Sequence, residues 1–336
     1  MNIPEHVELK IGKNLHNTLN HPINTVKEKI FSCFPDFNKF DDISPFVSTS
    51  NNFDKLLIPD DHVSRSLSDT YYKDEVTVLR THTSAHQNDL LMAGYKSFLV
   101  AGDCFRRDEI DSCHYPVFHQ IEGVKIVDDE VDVADDLRVN LEGVINSLFG
   151  DCEFRMREHK FPFTQPSWEV DVFYNNDWLE VLGCGVVHEK IMNNCGLAGQ
   201  KAWAFGMGID RLAMILFKIP DIRLMWSEDK RFHDQFDGSI FDFKPFSKYP
   251  PCHKDVSMWI GDSFCENSMN EIFRECAGDM VESVLLIDSF EKNDRKSNCY
   301  RVTYRSMDQS LTHNDVNLMH DKCVHTISRS MDCEMR

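Results

Sequence analysis

The sequence predicts an α+β fold in two parts: an antiparallel sheet flanked by helices, then a small βαββαβ unit. Three observations predict it. An apolar run over residues 97–105, a polar turn-prone loop and a second strand-like run have the form of an antiparallel hairpin. Alternating segments from 152 to 188 add further strands. After Tyr249-Pro250-Pro251 a new pattern begins: strand, helix, two strands, helix, short strand. A chain of 336 residues is long enough for one large core and a small second domain.

Taken in order, residues 21–34 place Ile23, Val26, Ile30 and Phe34 at helical spacing. Residues 46–58 are mixed and lead into a Pro-Asp-Asp-His turn, and 60–76 read as polar loop. Residues 84–93 suit a helix, with Thr83 or Ser84 as its N-cap. Strands dominate 97–127, an acidic link follows, and 131–149 read as a helix. Residues 210–218 form a helix that stops near Pro220. Residues 230–248 lack a clean period and carry Gly238 and Pro245, which reads as a linker or hinge. Beyond it, 254–260 read as a strand and 265–277 as a helix. Two strands over 281–291 and 297–307, joined by a charged turn, precede a helix over 314–329 and a short last strand.

Bulk properties narrow the function. No apolar run approaches the ~18 residues of a membrane span. Residues 1–10 mix acid, base and proline, unlike a secretory signal or an arginine-rich transit peptide. The 12 cysteines stand singly with no CxxC pair, the pattern of reduced thiols; Cys252 with His253 is the nearest approach to a zinc site. A net charge of −19 argues against nucleic-acid binding through a global field. The acid excess lies mostly before Asp242. A local basic face through Lys292, Arg295, Lys296, Arg301 and Arg305 therefore stays open, beside an ordinary solvated surface.

The chemistry-bearing residues gather in a few segments. Arg106 and Arg107 end the first run of the hairpin, where an arginine can grip a triphosphate in two-pronged fashion. Gln120 and Glu122 alternate to one face of the second strand, a face able to hold an ammonium group. In residues 204–214 a strand carrying Gly206 and Gly208 passes into an amphipathic helix headed by Asp210 and Arg211. Phe161 and Phe163 alternate on one strand about Pro162. On the residues alone, the competing readings are an Arg106 salt bridge to Asp108 or Glu109, core phenylalanines, and an exposed strand carboxylate at Glu180.

Residues 105–123 and 204–214 together resemble motifs 2 and 3 of class II aminoacyl-tRNA synthetases. Their flanks are similar to phenylalanyl-tRNA synthetases: Thr81-His82-Thr83-Ser84-Ala85-His86-Gln87, Phe161-Pro162-Phe163, and Trp178-Leu179-Glu180-Val181-Leu182-Gly183-Cys184-Gly185. The similarity runs on through Ile219-Pro220-Asp221-Ile222-Arg223 to Lys248-Tyr249-Pro250 and covers nearly the whole chain in one order.

The resemblance implies ATP-dependent activation of L-phenylalanine and its transfer to tRNA(Phe), with Mg²⁺ accompanying ATP. Arg106 and Arg211 are the implied catalytic residues. Arg106 would bridge the amino-acid carboxylate and the α-phosphate, with Arg107 its register competitor, and Arg211 would grip the γ-phosphate. Asp108, Cys113, His114 and Tyr115 would meet the nucleotide, and Phe118 would stack on adenine. Glu180 would hold the metal, with Glu169 a weaker second carboxylate. Ser84, Gln120 and Glu122 suit the substrate ammonium, and His82 with Arg106 its carboxylate. His86 and Gln87 continue that segment. Phe161 and Phe163 would meet the phenylalanine ring edge to face, Ala204 would limit pocket depth, and Phe205 would cover the nucleotide or the phenylalanine pocket. The family usually has Glu where Asp210 stands; the shorter side chain keeps the charge and changes its reach.

The implied organisation is a class II catalytic domain over 1–230, a linker over 231–248 and a ferredoxin-like anticodon-binding domain over 249–336. Both domains on one chain imply a monomer whose partners are tRNA(Phe), ATP and L-phenylalanine, without a membrane. The implied location is the mitochondrial matrix; with no presequence visible, another organelle or the cytoplasm stays open. The link between Val127 and Phe149 looks short for the family. Two alternatives remain: a class II ligase for another bulky amino acid, and a catalytically inactive RNA-binding or regulatory paralogue.

Overall fold

The structure, a computed structural model, describes residues 1–245 and 249–336. In the first part the strands are β1 (Asn38–Phe40), β2 (Phe46–Ser48), β3 (Thr77–Leu79), β4 (Ser97–Phe105), β5 (Val117–Val127), β6 (Phe154–His159), β7 (Thr164–Tyr174), β8 (Asp177–Val187) and β9 (Lys201–Gly208). Seven of them form one sheet in the order β1-β4-β5-β9-β8-β7-β6. Its neighbours run antiparallel except β1, which pairs parallel to β4 through three residues. A segment that short carries no period, so sequence pattern does not show it. Strands β2 and β3 form a separate two-stranded ribbon.

The helices of this part are α1 (Glu5–Glu8), α2 (Pro22–Ser32), α3 (Thr49–Asn52), α4 (Gln87–Met92), α5 (Val133–Phe149), α6 (Glu189–Asn194), α7 (Ile209–Phe217) and α8 (Lys230–His233). The three longest build the main core. Ile23, Val26 and Ile30 of α2, Leu137, Leu141 and Val144 of α5, and Leu212 and Leu216 of α7 are buried with Leu99, Ile121, Trp203 and Phe205 of the sheet. Local signals set their ends. Pro22 opens α2, and the Asp132 carboxylate accepts the N–H groups of Ala134 and Asp135 at the start of α5. Helix α7 ends on Lys218, held left-handed at φ 54°, shortly before Pro220.

Two expectations change here. The helix over 84–93 splits into a 3₁₀ turn, Thr83–His86, and the short α4. Neither Thr83 nor Ser84 caps it; both hydroxyls lie beside the Glu122 carboxylate instead. The 231–248 stretch reads as a linker for want of a clean period, yet Phe232, Phe236 and Phe243 are buried in the main core. The Phe243 N–H donates to the Phe217 carbonyl at 2.6 Å, so residues 232–243 are packed chain rather than a loose connector. Residues 246–248, the end of that stretch and the start of Lys248-Tyr249-Pro250, lie outside the described residues.

The second part runs β10 (Cys252–Ile260), α9 (Glu266–Ala277), β11 (Val281–Lys292), β12 (Arg295–Tyr304), α10 (His313–Ser330) and β13 (Cys333–Met335). The sheet order is β11-β12-β10-β13, the ferredoxin-like arrangement the element order predicts. Asn293 and Asp294, at φ 52° and 58°, make the two-residue turn between β11 and β12. Thr312 and Asp315 form a capping box on α10. Met269 and Phe273 of α9 and Val316 and Ile327 of α10 are buried with Val256, Met258, Val302 and Tyr304, so the helices cover one face.

Candidate active site

Strand alternation builds the site. Along β5, Phe118, Gln120 and Glu122 point away from the helix-covered core, while His119 and Ile121 point into it. The register sets Gly206 of β9 opposite Glu122, Gly183 of β8 opposite Gly206, and Gly185 opposite Ala204. Small residues thus leave a hollow in the sheet face. It is a pocket of about 410 Å³ lined by His82, Ser84, Gln87, Arg106, Gln120, Glu122, Phe161, Phe163, Glu169, Glu180, Ala204 and Phe205. Thr83, Thr164, Gly183, Cys184 and Gly206 complete its lining. A Cβ on Gly206 would meet no atom within 4 Å, because that space is the pocket itself.

At the inner end lies Glu122. Its carboxylate is buried, and neither oxygen has a hydrogen-bond partner of good geometry. Burial pushes its pKa up to about 8, against the pull of the neighbouring Ser84 and Thr83 hydroxyls. Such a carboxyl lacks a cation. Arg106 stands on the same side, its Nε–H donating to the Thr81 carbonyl at 2.9 Å and its guanidinium 5.0 Å from the Phe118 ring centre. Burial lowers the Arg106 pKa. Burial and the Arg106 charge also push His82 down to about 3, so its imidazole is neutral at pH 7. Both its ring nitrogens are buried without a hydrogen-bond partner. Gln120 accepts a long contact from the Cys104 thiol at 3.6 Å.

Phe161 and Phe163 form the aromatic wall, but not from a strand. They sit in the turn between β6 and β7, their rings stacked at 5.6 Å and 8°. Their alternation about Pro162 imitates a strand; the turn delivers both rings to the pocket by a different route. A Cβ on Gly183 would lie 2.8 Å from the Phe161 ring, so glycine there makes room for it. Glu180 and Glu169 stand on the outer wall and share Arg157, at 3.5 and 3.0 Å. Arg211 is exposed on the first turn of α7, beyond the pocket lining, and makes no ion pair among the described residues.

Several expected residues lie elsewhere. His86 is buried behind the site, its Nε2 2.9 Å from Arg80 Nη1; burial and that cation push its pKa down to about 4. Phe205 lines the pocket, yet its ring is mostly core, stacked with Phe34 and Trp203. Asp108 lines a neighbouring cavity of about 460 Å³ that shares His82, Arg106, Phe161 and Phe163 with the first. Cys113 is exposed in the hairpin loop. His114 bonds Asp111 at 2.7 Å, and hydrogen bonding to that carboxylate raises its pKa against burial. The Tyr115 hydroxyl donates to Asp279 of the C-terminal part at 2.6 Å. The loop as a whole docks there. Arg274 donates to the Glu109 carbonyl, Val284 N–H donates to the Ile110 carbonyl at 3.1 Å, and Ile110 is buried in the second core.

A supporting set lies behind the site, paired between elements distant in the chain. Arg80 is fully buried, 2.8 Å from Asp103, and holds His86. His119 binds Asp210 on the core side of β5. In the sequence, Asp103 and Asp210 show as charged residues inside apolar runs.

Comparison with known proteins agrees with this geometry. Residues 5–236 match the family described as tRNA synthetases class II core domain (F), and residues 247–336 the ferredoxin-fold anticodon binding domain. The fold is that of a class II aminoacyl-tRNA synthetase. The chain is 49% identical to the chloroplastic/mitochondrial phenylalanine–tRNA ligase of Arabidopsis thaliana, over 100% of this chain and 82% of that one. It is 44% identical to the mitochondrial phenylalanine–tRNA ligase of Dictyostelium discoideum, over 100% and 89% of the two chains. Against that of Mus musculus the identity is 42%, over 95% and 82%. A pyrrolysyl-tRNA synthetase structure from Desulfitobacterium hafniense shares the fold alone, with a TM-score of 0.51 and 16% identity over 65% of this chain and 76% of that one. This chain belongs to the phenylalanine–tRNA ligase family.

Proposed function

We propose that this chain activates L-phenylalanine with ATP and charges tRNA(Phe) in an organelle, in keeping with its mitochondrial relatives. The observation that carries the reading is the Glu122 carboxylate, without a cation among the described residues and buried in a pocket that also presents the Phe161–Phe163 pair. That pairing suits an α-ammonium at one end of a ligand and a benzyl group at the other.

The rest of the wall fits the chemistry. Neutral His82 offers a hydrogen bond to the substrate carboxylate without adding charge. Arg106, pinned to the Thr81 carbonyl, keeps its remaining N–H groups for the carboxylate and the α-phosphate as charge builds between them. Arg211, at the positive end of α7, is suited to the far phosphates. Mg²⁺ would be held with ATP at Glu180 and Glu169, whose carboxylates Arg157 now shares, and would offset triphosphate charge. Oxygen ligands at the pocket mouth fit that ion.

The second part suits tRNA. On its open sheet face Trp259 and Phe290 pack at 5.6 Å, with Arg295 4.9 Å from the Trp259 ring and Arg336 4.7 Å from Phe290. Aromatic rings backed by guanidinium groups are platforms for unstacked bases. A local platform also reconciles RNA binding with the net charge of −19. With both domains on one chain, a monomer is expected.

Phenylalanine-dependent ATP–pyrophosphate exchange tests the reading. No exchange with any amino acid would mean an inactive paralogue. Exchange driven better by another bulky amino acid would mean a different ligase. Trp259→Ala should lower charging of tRNA while leaving exchange intact; equal charging would remove the platform from the account.

A further inference from the structure

Behind the pocket, on the core side of β5, His119 and Asp210 form a buried pair. The two side chains are 0% and 3% exposed. The His119 backbone N–H donates to Asp210 Oδ2 at 2.5 Å, and its Nδ1 lies 3.2 and 3.3 Å from the two carboxylate oxygens. His119 sits between Phe118 and Gln120, which face the pocket, and Asp210 immediately precedes Arg211. One side-chain contact therefore joins the strand that carries the ring beside Arg106 to the first turn of the helix that carries Arg211. Trp226 lies over the His119 ring at 5.7 Å, and the His16 ring is 5.4 Å away, so the imidazole has little room to turn.

We infer that His119 is a positioning residue for ATP: through Asp210 it fixes Arg211 relative to Phe118 and Arg106. The pair does a second job. Without a donor at Nδ1, the Asp210 carboxylate would keep only the backbone N–H in a buried setting. Its uncompensated charge would lie directly behind an arginine meant for phosphates. The amino-acid end of the pocket is built from other contacts and should not feel the change. This inference rests on the ATP reading above.

The test is steady-state pyrophosphate exchange by the full chain, with KM for ATP and for phenylalanine measured separately. His119→Leu should raise the ATP KM roughly tenfold or more while the phenylalanine KM stays within about twofold. His119→Asn, whose amide N–H falls near Nδ1, should recover most of the loss; His119→Gln, whose amide falls near Nε2, should not. An unchanged ATP KM in folded His119→Leu, or an equal rise in both KM values, would overturn the inference. If His119→Leu does not fold, equal ATP KM values for the Asn and Gln variants would overturn it instead. Arg211→Ala run alongside separates the two layers: if it too leaves ATP use unchanged, the ATP assignment itself has failed.

Discussion

The strand and the loop of the β4–β5 hairpin differ in what holds them. Phe118, Gln120 and Glu122 are fixed by ladders to β4 and β9, so their side chains meet the pocket by alternation alone. Residues 108–115 have no ladder. The C-terminal part helps to fix them, through Tyr115 on Asp279, Arg274 on Glu109 and Ile110 in the second core. A neighbouring buried node continues the contact: Glu271 takes the Tyr71 hydroxyl at 2.9 Å and sits 3.1 Å from His6 and 3.6 Å from Arg107. The strand carries the candidate chemistry and the loop carries an interface. Substitutions in the two should therefore separate activation from domain contact.

The largest effect is expected at the end of the strand half. Arg106→Ala should cut exchange by about 10²–10³, roughly 3–4 kcal/mol, by removing charge stabilisation made at the reacting centre. Near-normal exchange in a folded Arg106→Ala protein would break the comparison at its strongest point.

Glu122 should give the next largest effect, and a pH signature. Its folded pKa of about 8 lies above the usual carboxyl value, so the free protein holds it protonated at neutral pH. An ammonium needs the carboxylate. Phenylalanine KM should therefore fall as pH rises toward about 8, by up to about tenfold per unit below that value, then level off. Glu122→Gln should raise KM and abolish this slope. The linkage sign gives a second readout: stability from the neutral buried acid is full below its unfolded pKa and is lost as pH rises through about 8. The Tm of the unsubstituted chain should thus drop relative to Glu122→Gln between pH 5 and 8.

A smaller change is expected at Ala204, whose removal of one methyl deepens the pocket. Ala204→Gly should admit para-substituted phenylalanines, with a discrimination change of about 10–200-fold at most. An unchanged substrate range would show that another residue sets the depth. The smallest effect belongs to the loop. Tyr115→Phe removes one hydrogen bond to Asp279, worth about 1 kcal/mol net, so Tm should fall slightly while exchange stays the same. A large loss of exchange would return Tyr115 to the nucleotide site.

Much of the molecule was legible from pattern. The Ile23-Val26-Ile30 stripe, the alternation of Gln120 and Glu122, and the element order after Pro251 each report a local period that the fold keeps. What pattern missed depended on partners distant in the chain. Ser84 looked like a helix cap because capping is the commonest local use of a serine there; Glu122, 38 positions on, drew it away. His86 looked like its neighbour His82, but only His82 reaches the pocket, because Arg80 claims the other ring. Phe161 and Phe163 have strand spacing on a turn, and Phe232, Phe236 and Phe243 lie in a stretch interrupted by Gly238 yet fill the core.

The sequence by itself determined the two-part fold, the strand faces and the residue types available to the pocket, since backbone geometry and motif spacing act over a few residues. Only the tertiary structure decided that the hairpin loop serves a domain contact. It also decided that Glu122 lacks a cation and that His119 meets Asp210. Burial and pairing are properties of what surrounds a side chain, and those surroundings are assembled only when the sheet closes over its helices.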